Sequence, residues 1–181
     1  MKQFLGLLMA AMILFTFSGD AYAQKTKNNL TAKEAVKLAQ NAQEHFWSMI
    51  GGSNNKIENP VCSSDRFKYK GMDYRYFCSE FDTKKKLFSY LNEAFTLNAI
   101  TKGMKKYGFI GYKGKMAQPN ADGGSIAQWD KSHAKLLYQR KDVRLFEFTV
   151  QLGDMKLYEK HNITFVNVGN KWLINDIDAA H

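Results

Sequence analysis

Apolar residues recur at helical spacing early in the chain. Ala35, Leu38, Ala39, Ala42, Phe46 and Met49 fall on one face of a helix running to about Ile50. Thr31-Ala32-Lys33-Glu34 precedes them as a capping box, in which the Thr31 hydroxyl and the Glu34 carboxylate each satisfy a free amide. Gly51-Gly52 ends this helix and Ser53 to Pro60 is a polar loop. From Cys62 to Cys78 the pattern becomes aromatic and alternating, with Phe67 and Tyr69 before Gly71 and Tyr74, Tyr76 and Phe77 after it, which predicts a hairpin turning near Gly71. Asp82-Thr83 caps a second helix whose stripe is Leu87, Phe88, Leu91, Ala94 and Phe95. Thr96 caps a third through Leu97, Ile100 and Met104, with Gly108 as its stop.

Beyond Gly108 the chain reads as strands: short ones at Phe109 to Tyr112 and Lys115 to Ala117, then longer ones at Ala134 to Gln139, Val143 to Gln151, Tyr158 to Val168 and Lys171 to Ile177. Phe146, Phe148 and Val150 alternate with Glu147 and Thr149, as in a half-buried strand. Gly169-Asn170 is a tight turn. Helices precede strands without βαβ alternation, so the fold class is α+β: about three N-terminal helices with an aromatic hairpin, followed by a curved antiparallel sheet, in a single domain. Gln118 to Ser125 stands apart as a turn-rich polar octapeptide too long for a tight hairpin, and Ile126, Ala127 and Trp129 after it fit a short helical turn.

The ends and the charge place this domain. Lys2, the 14-residue apolar run from Phe4 to Phe17 and the small-x-small site Ala21-Tyr22-Ala23 read as a secretory signal peptide over residues 1–23. That run is short of the roughly 20 residues a membrane-spanning helix needs. The expected product is residues 24–181, secreted and extracellular or wall-associated, with no membrane span, as a monomer, and with Gln24 to Asn29 as a basic disordered arm. The 181 residues carry 26 Lys plus Arg against 17 Asp plus Glu, a formal +9; Lys2 and Asp20 leave together, so the mature chain keeps it. Such a charge attracts polyanions. Export turns that expectation from nucleic acid toward an anionic cell-wall polymer, held nonspecifically. Lys84-Lys85-Lys86 and Lys105-Lys106 are the densest basic patches, and they equally fit the solvated faces of two helices.

Candidate chemistry is sparse. Cys62 and Cys78 flank the hairpin 16 positions apart, and in an exported chain this points to a disulfide at its base. A nucleophilic thiolate is the alternative, but none of His45, His133, His161 and His181 is marked as its partner. No metal-ligand spacing is present, and no metal or other cofactor is expected. Glu80 and Asp82 sit before a helix, where acids favour its dipole; Asp176 and Asp178 read as solvated. No GxSxG, P-loop or dinucleotide fingerprint occurs, so the reading leans away from an enzyme, with a small hydrolase or ligand-binding sheet cavity as a minor alternative. The octapeptide is the leading candidate site. Lys115 and Lys131 are separated by 15 residues with no base and two acids, Asp122 and Asp130. Gly123-Gly124 lacks side chains and permits backbone to enter a narrow space, while Asp122 can meet a cationic group there. A surface loop with no role is the alternative.

Several stretches together resemble one family: Phe67-Lys68-Tyr69-Lys70-Gly71 to Tyr74-Arg75-Tyr76-Phe77, Asp82-Thr83-Lys84-Lys85 to Tyr90-Leu91, Gly114-Lys115-Met116-Ala117-Gln118-Pro119-Asn120-Ala121-Asp122-Gly123-Gly124-Ser125, and Gly169-Asn170-Lys171-Trp172. The chain resembles the IseA family, secreted inhibitors of bacterial peptidoglycan DL-endopeptidases, over nearly all of its mature length. The resemblance implies a noncatalytic α+β domain whose mobile acidic Gly-rich loop enters and blocks the active-site cleft of NlpC-type cysteine autolysins, limiting cell separation. Carried over by position, that inhibitory loop is Pro119, Asn120, Ala121, Asp122, Gly123, Gly124 and Ser125. A different reading is an exported wall-binding module that uses the lysine patches.

Overall fold

The computed structural model describes residues 29–120 and 123–181. The expected signal peptide and residues 24–28 of the basic arm lie outside the described residues, as do Ala121 and Asp122. Helix α1 (Ala32–Gly51) starts at the predicted capping box. The Glu34 amide donates to the Thr31 hydroxyl at 3.3 Å, and the Thr31 amide donates to the Glu34 carboxylate at 2.9 Å. The Thr31 backbone bond, then its side-chain bond, hold the Glu34 carboxyl below the usual glutamate range. At the far end Gly52 adopts φ +82° and donates its amide to Ser48 and Met49, a left-handed cap that a side chain would disfavour.

Thr83 and Thr96 cap α2 (Lys84–Leu91) and α3 (Leu97–Lys106) through their hydroxyls. Helix α2 is shorter than its apolar stripe. It stops at Asn92; the Ala94 and Phe95 amides still donate to the Leu91 carbonyl, but strand β8 (Lys171–Ile174) meets the chain there, the Ile174 amide donating to the Ala94 carbonyl and Phe95 forming a parallel bridge with Ile174. In α3, Leu97 faces solvent while Ala99, Ile100, Gly103 and Met104 are buried.

Among the described residues eight strands form two four-stranded antiparallel sheets, where the sequence pattern predicts one sheet and a separate hairpin. The first contains β1 (Arg66–Tyr69), β2 (Met72–Tyr76), β3 (Ile110–Tyr112) and β4 (Lys115–Pro119) in the order β1-β2-β4-β3. Lys70-Gly71 and Lys113-Gly114 make its two tight turns, all four residues at positive φ. The second runs β5-β6-β7-β8, with β5 (Ala127–Arg140), β6 (Val143–Leu152), β7 (Tyr158–Val168) and β8 (Lys171–Ile174). Strand β6 alternates as its sequence predicts, burying Arg144, Phe146, Phe148 and Val150. Strand β5 starts seven residues earlier than predicted, so the segment read as a helical turn is extended. Trp129 points into the core from it, 1% exposed, and an irregularity in the β5–β6 register follows.

The core gathers α1, α2, α3 and inner positions of both sheets into one apolar cluster from Leu30 to Ala180. Each large fully buried side chain in it, such as Phe95, Phe148 or Phe165, contributes on the order of 2 kcal/mol by leaving water. Helix α1 lies along β5 and covers it: the Gln40 and Gln43 amides donate to the Trp129 and Ala127 carbonyls, both at 3.3 Å. The C-terminal segment closes over α3. Asp178, read from sequence as solvated, accepts from Lys106 Nζ at 2.6 Å and from the Tyr107 hydroxyl. Burial first, and then this carboxylate, push the Tyr107 phenol well above its usual range.

Candidate functional site

The Gly-rich segment connects the two sheets. Strand β4 ends the path through the first sheet at Pro119, and β5 opens the second at Ala127. Gln118 and Pro119, predicted as loop, belong to β4: they pair with Arg75 and Tyr74 of β2. Residues 120–126 therefore lie between the two strands.

Each root is tied to a different sheet. On the β4 side the Asn120 amide donates to the Asp73 carbonyl at 2.8 Å. Gln118, 2% exposed, lies beneath with its amide nitrogen against Gly52, where an added Cβ would sit 2.5 Å from Gln118 Nε2. A side chain at position 52 would force that amide to shift. On the β5 side the Gly153 amide donates to the Ile126 carbonyl at 2.7 Å, and the Ala127 amide donates to the Ser125 hydroxyl at 3.2 Å. The β6–β7 turn thus holds the second root.

Between the roots, Gly123, Gly124, Ser125 and Ile126 are exposed. Gly123 passes close over the C-terminal half of α1: a Cβ there would meet the Trp47 ring at 3.2 Å and Ile50 at 3.7 Å. Nothing lies within 4 Å of a Cβ on Gly124. The first glycine lets backbone rest on an indole; the second sits in open space. The same end of α1 is pinned to the first sheet, because Arg75 donates to the Ile50 carbonyl at 3.1 Å. Trp47 and Ile50 are the residues that sequence reasoning missed. Both sit beside the apolar stripe of α1 and look like core positions, and only the returning chain reveals them as a seat.

A cavity of about 590 Å³ opens beside the loop, lined among others by Ser125, Ile126, Leu152, Glu159, His161 and His181. Glu159 is its one carboxylate among the described residues, 3.4 Å from His161 Nε2. Paired acids for glycoside hydrolysis need two carboxyl groups facing one bond, which this cleft lacks among the described residues. No cluster of three metal-ligating side chains occurs among those residues either.

The cysteines form a disulfide, Cys62–Cys78, with Cα atoms 4.1 Å apart. No thiol is left for nucleophilic chemistry at either position. The bond joins the stretch before β1 to the end of β2, beside a backbone bond from the Ser79 amide to the Val61 carbonyl. It fixes the hairpin whose Asp73 and Tyr74 hold the loop root. The other two histidines, His45 and His133, do not line this cavity: His45 is buried, with Nδ1 2.7 Å from the Asn41 carbonyl and its ring stacked on Tyr90. The predicted lysine patches are partly neutralised, Lys86 by Asp82 at 2.8 Å and Lys106 by Asp178. No helix among the described residues is long and apolar enough to cross a membrane.

The described residues form a disulfide-stapled α+β body with Gly123 to Ile126 exposed between its two sheets. Comparison with known proteins specifies the class: the family model described as IseA DL-endopeptidase inhibitor matches residues 26–179. The chain belongs to that family of endopeptidase inhibitors. It is also 40% identical over 180 residues to the uncharacterized protein YoeB of Bacillus subtilis (strain 168), covering 99% of each chain.

Proposed function

We propose that this protein inhibits a peptidoglycan DL-endopeptidase by placing the segment from Pro119 to Ser125 in the enzyme's active-site cleft. The observation that carries the reading is the loop's mounting. Its roots are hydrogen-bonded to separate sheets at Asp73 and Gly153, while Gly123 to Ile126 remain exposed. A segment held at both ends and free of bulky side chains loses little conformational freedom on entering a narrow cleft. Asp122 supplies charge complementarity to a basic cleft wall, Gly123 and Gly124 let the backbone pass, and Ser125 holds the exit turn. The disulfide is suited to an oxidising compartment, which fits export by the signal peptide and action at the wall on autolysins of cell separation.

Charge-reversed and stiffened loops test this. Asp122→Lys, and separately Gly123→Pro with Gly124→Pro, should abolish inhibition of a purified DL-endopeptidase while circular dichroism stays unchanged. Full inhibition by both variants would refute loop insertion. The alternative wall-binding module would instead bind purified wall through its lysines and leave hydrolysis untouched.

A further inference from the structure

Apart from Pro119 at its rim, one face of the first sheet lies outside the proposed inhibitory segment. Register places Phe67, Tyr69, Met72, Tyr74, Tyr76, Ile110, Tyr112, Lys115, Ala117 and Pro119 on one side, and Arg75, Met116 and Gln118 on the other. The second side packs on the helices at Met116, which joins the core, and at Arg75, which donates to α1, while Arg66, Lys68 and Asp73 at its β1–β2 edge are exposed. The first looks outward as an aromatic layer. Rings from the two edge strands meet across it, Phe67 stacking on Tyr112 at 4.2 Å, and they bury Tyr74 to 2% exposure.

The polar side chains on this side are tyrosine hydroxyls and a lysine ammonium, joined by the lysines of the two turns. Lys70, Lys113 and Lys115 place their ammonium groups 5.5–5.9 Å from the rings of Tyr69, Tyr112 and Tyr76. Among the described residues none of the three is within 4 Å of a carboxylate, in contrast to Lys86 and Lys106. No carboxylate occupies an outward position on any of the four strands. The Tyr74 hydroxyl is used, donating to the Gly108 carbonyl at 3.0 Å, while those of Tyr69, Tyr76 and Tyr112 have no protein partner among the described residues. Lys70 and Lys113 sit in the tight turns at opposite ends of the strands, so cations bracket the layer along the strand direction.

We infer that this face binds a linear polyol-phosphate chain, with successive phosphodiesters on Lys70 at one end and on Lys113 and Lys115 at the other, and tyrosine hydroxyls and ring edges between. Ring edges carry positive partial charge and suit anions. The ring faces decide against nucleic acid, the other common phosphodiester polymer. Single-stranded nucleic acid is gripped by stacking its bases on free aromatic faces, and here Phe67 is covered by Tyr112 and the other outward tyrosines have lysines over them. A base-free polymer needs only the donors. Such binding moves the wall-affinity site from the helical lysine patches to the first sheet, and it is independent of loop insertion.

The test is titration of fluorescently labelled, deacylated polyglycerol phosphate into the full mature protein at 50 mM and 200 mM salt. Wild type should bind, with affinity falling steeply as salt rises. Lys70→Asn/Lys113→Asn/Lys115→Gln should weaken binding roughly a hundredfold, at about fivefold per lysine, with near-ultraviolet circular dichroism and endopeptidase inhibition unchanged. Lys84→Gln/Lys85→Gln/Lys105→Gln removes the same charge and should cost less than threefold. Equal losses in the two triple variants, or no binding by wild type at 50 mM salt, would overturn the site. Affinity for single-stranded DNA of matched charge equal to that for the polymer, or equal retention by peptidoglycan stripped of its phosphate polymers, would overturn the ligand.

Discussion

Gly52 joins the end of α1 to the root of the loop, and substituting it with alanine should reveal that link. Two costs arise. Residue 52 holds φ +82°, and placing an L-residue with a Cβ in the left-handed region costs about 1–2 kcal/mol. The new Cβ would also lie 2.5 Å from Gln118 Nε2, 3.7 Å from Gln118 Cδ and 3.8 Å from Phe77. The first contact is with the end of a side chain, which can turn away, but Gln118 is buried and its shift adds about 1 kcal/mol of overpacking. Gly52→Ala should therefore lose about 2–3 kcal/mol in urea denaturation. A double-mutant cycle with Gln118→Ala separates the terms: the pair should lose about 1 kcal/mol less than the sum of the singles. Because Gln118 precedes the loop, Gly52→Ala should also weaken endopeptidase inhibition where Gly51→Ala, with only Asn55 Oδ1 at 4.0 Å, does not. A loss below 0.5 kcal/mol, or a cycle with no coupling, would refute the steric argument.

Three further outcomes follow from the body of the fold. Replacing Cys62 and Cys78 with alanine opens a loop of 16-residue separation and should cost about 3 kcal/mol by chain entropy, read as a lower urea midpoint that reductant does not lower further. Gly103→Ala puts a Cβ 2.6 Å from Ile177 Cγ2 and 3.2 Å from its Cβ; the clash should outweigh the gain in helix propensity and leave a net loss of about 1–2 kcal/mol. Thr31→Ala should lose about 1 kcal/mol at neutral pH. Since the Glu34 carboxyl is held below its usual value, the Glu34 share of the cap is present above the ordinary glutamate range and lost as pH falls through the lowered one. The difference between wild type and Glu34→Gln should therefore shrink on acidification from pH 7 to pH 3; a difference that grows would contradict the assignment.

Local chemistry was legible in the sequence, and long-range competition was not. Thr31, Thr83 and Thr96 announce three helix starts because a capping hydroxyl acts within three residues. Gly52 and Gly108 mark stops for the same reason, both at positive φ. Ala94 and Phe95 continue the α2 spacing, yet the Ala94 carbonyl accepts from Ile174 of β8, some eighty residues away. The stretch at Trp129 reads as a helical turn until α1 supplies amide donors for its carbonyls and β6 pairs with it. The division into two sheets was equally hidden, because β2 pairs with β4 across two intervening helices. The candidate segment stands out in the sequence by its turn-rich polar character, missing bases and paired glycines. Its seat on Trp47 and Ile50 could not be read, since those residues carry the same apolar signal as the core stripe beside them.

Loop occupancy of the enzyme's catalytic cleft is the central claim, and protection of the active-site cysteine tests it most directly. A purified DL-endopeptidase of the cysteine class is alkylated with iodoacetamide, with and without saturating inhibitor, and the labelling rate of its catalytic thiol is followed by mass spectrometry. Wild-type protein should slow labelling in proportion to its inhibition of peptidoglycan hydrolysis, and Gly123→Pro/Gly124→Pro should do neither. Strong inhibition of hydrolysis with the thiol labelled at its free rate would contradict the account.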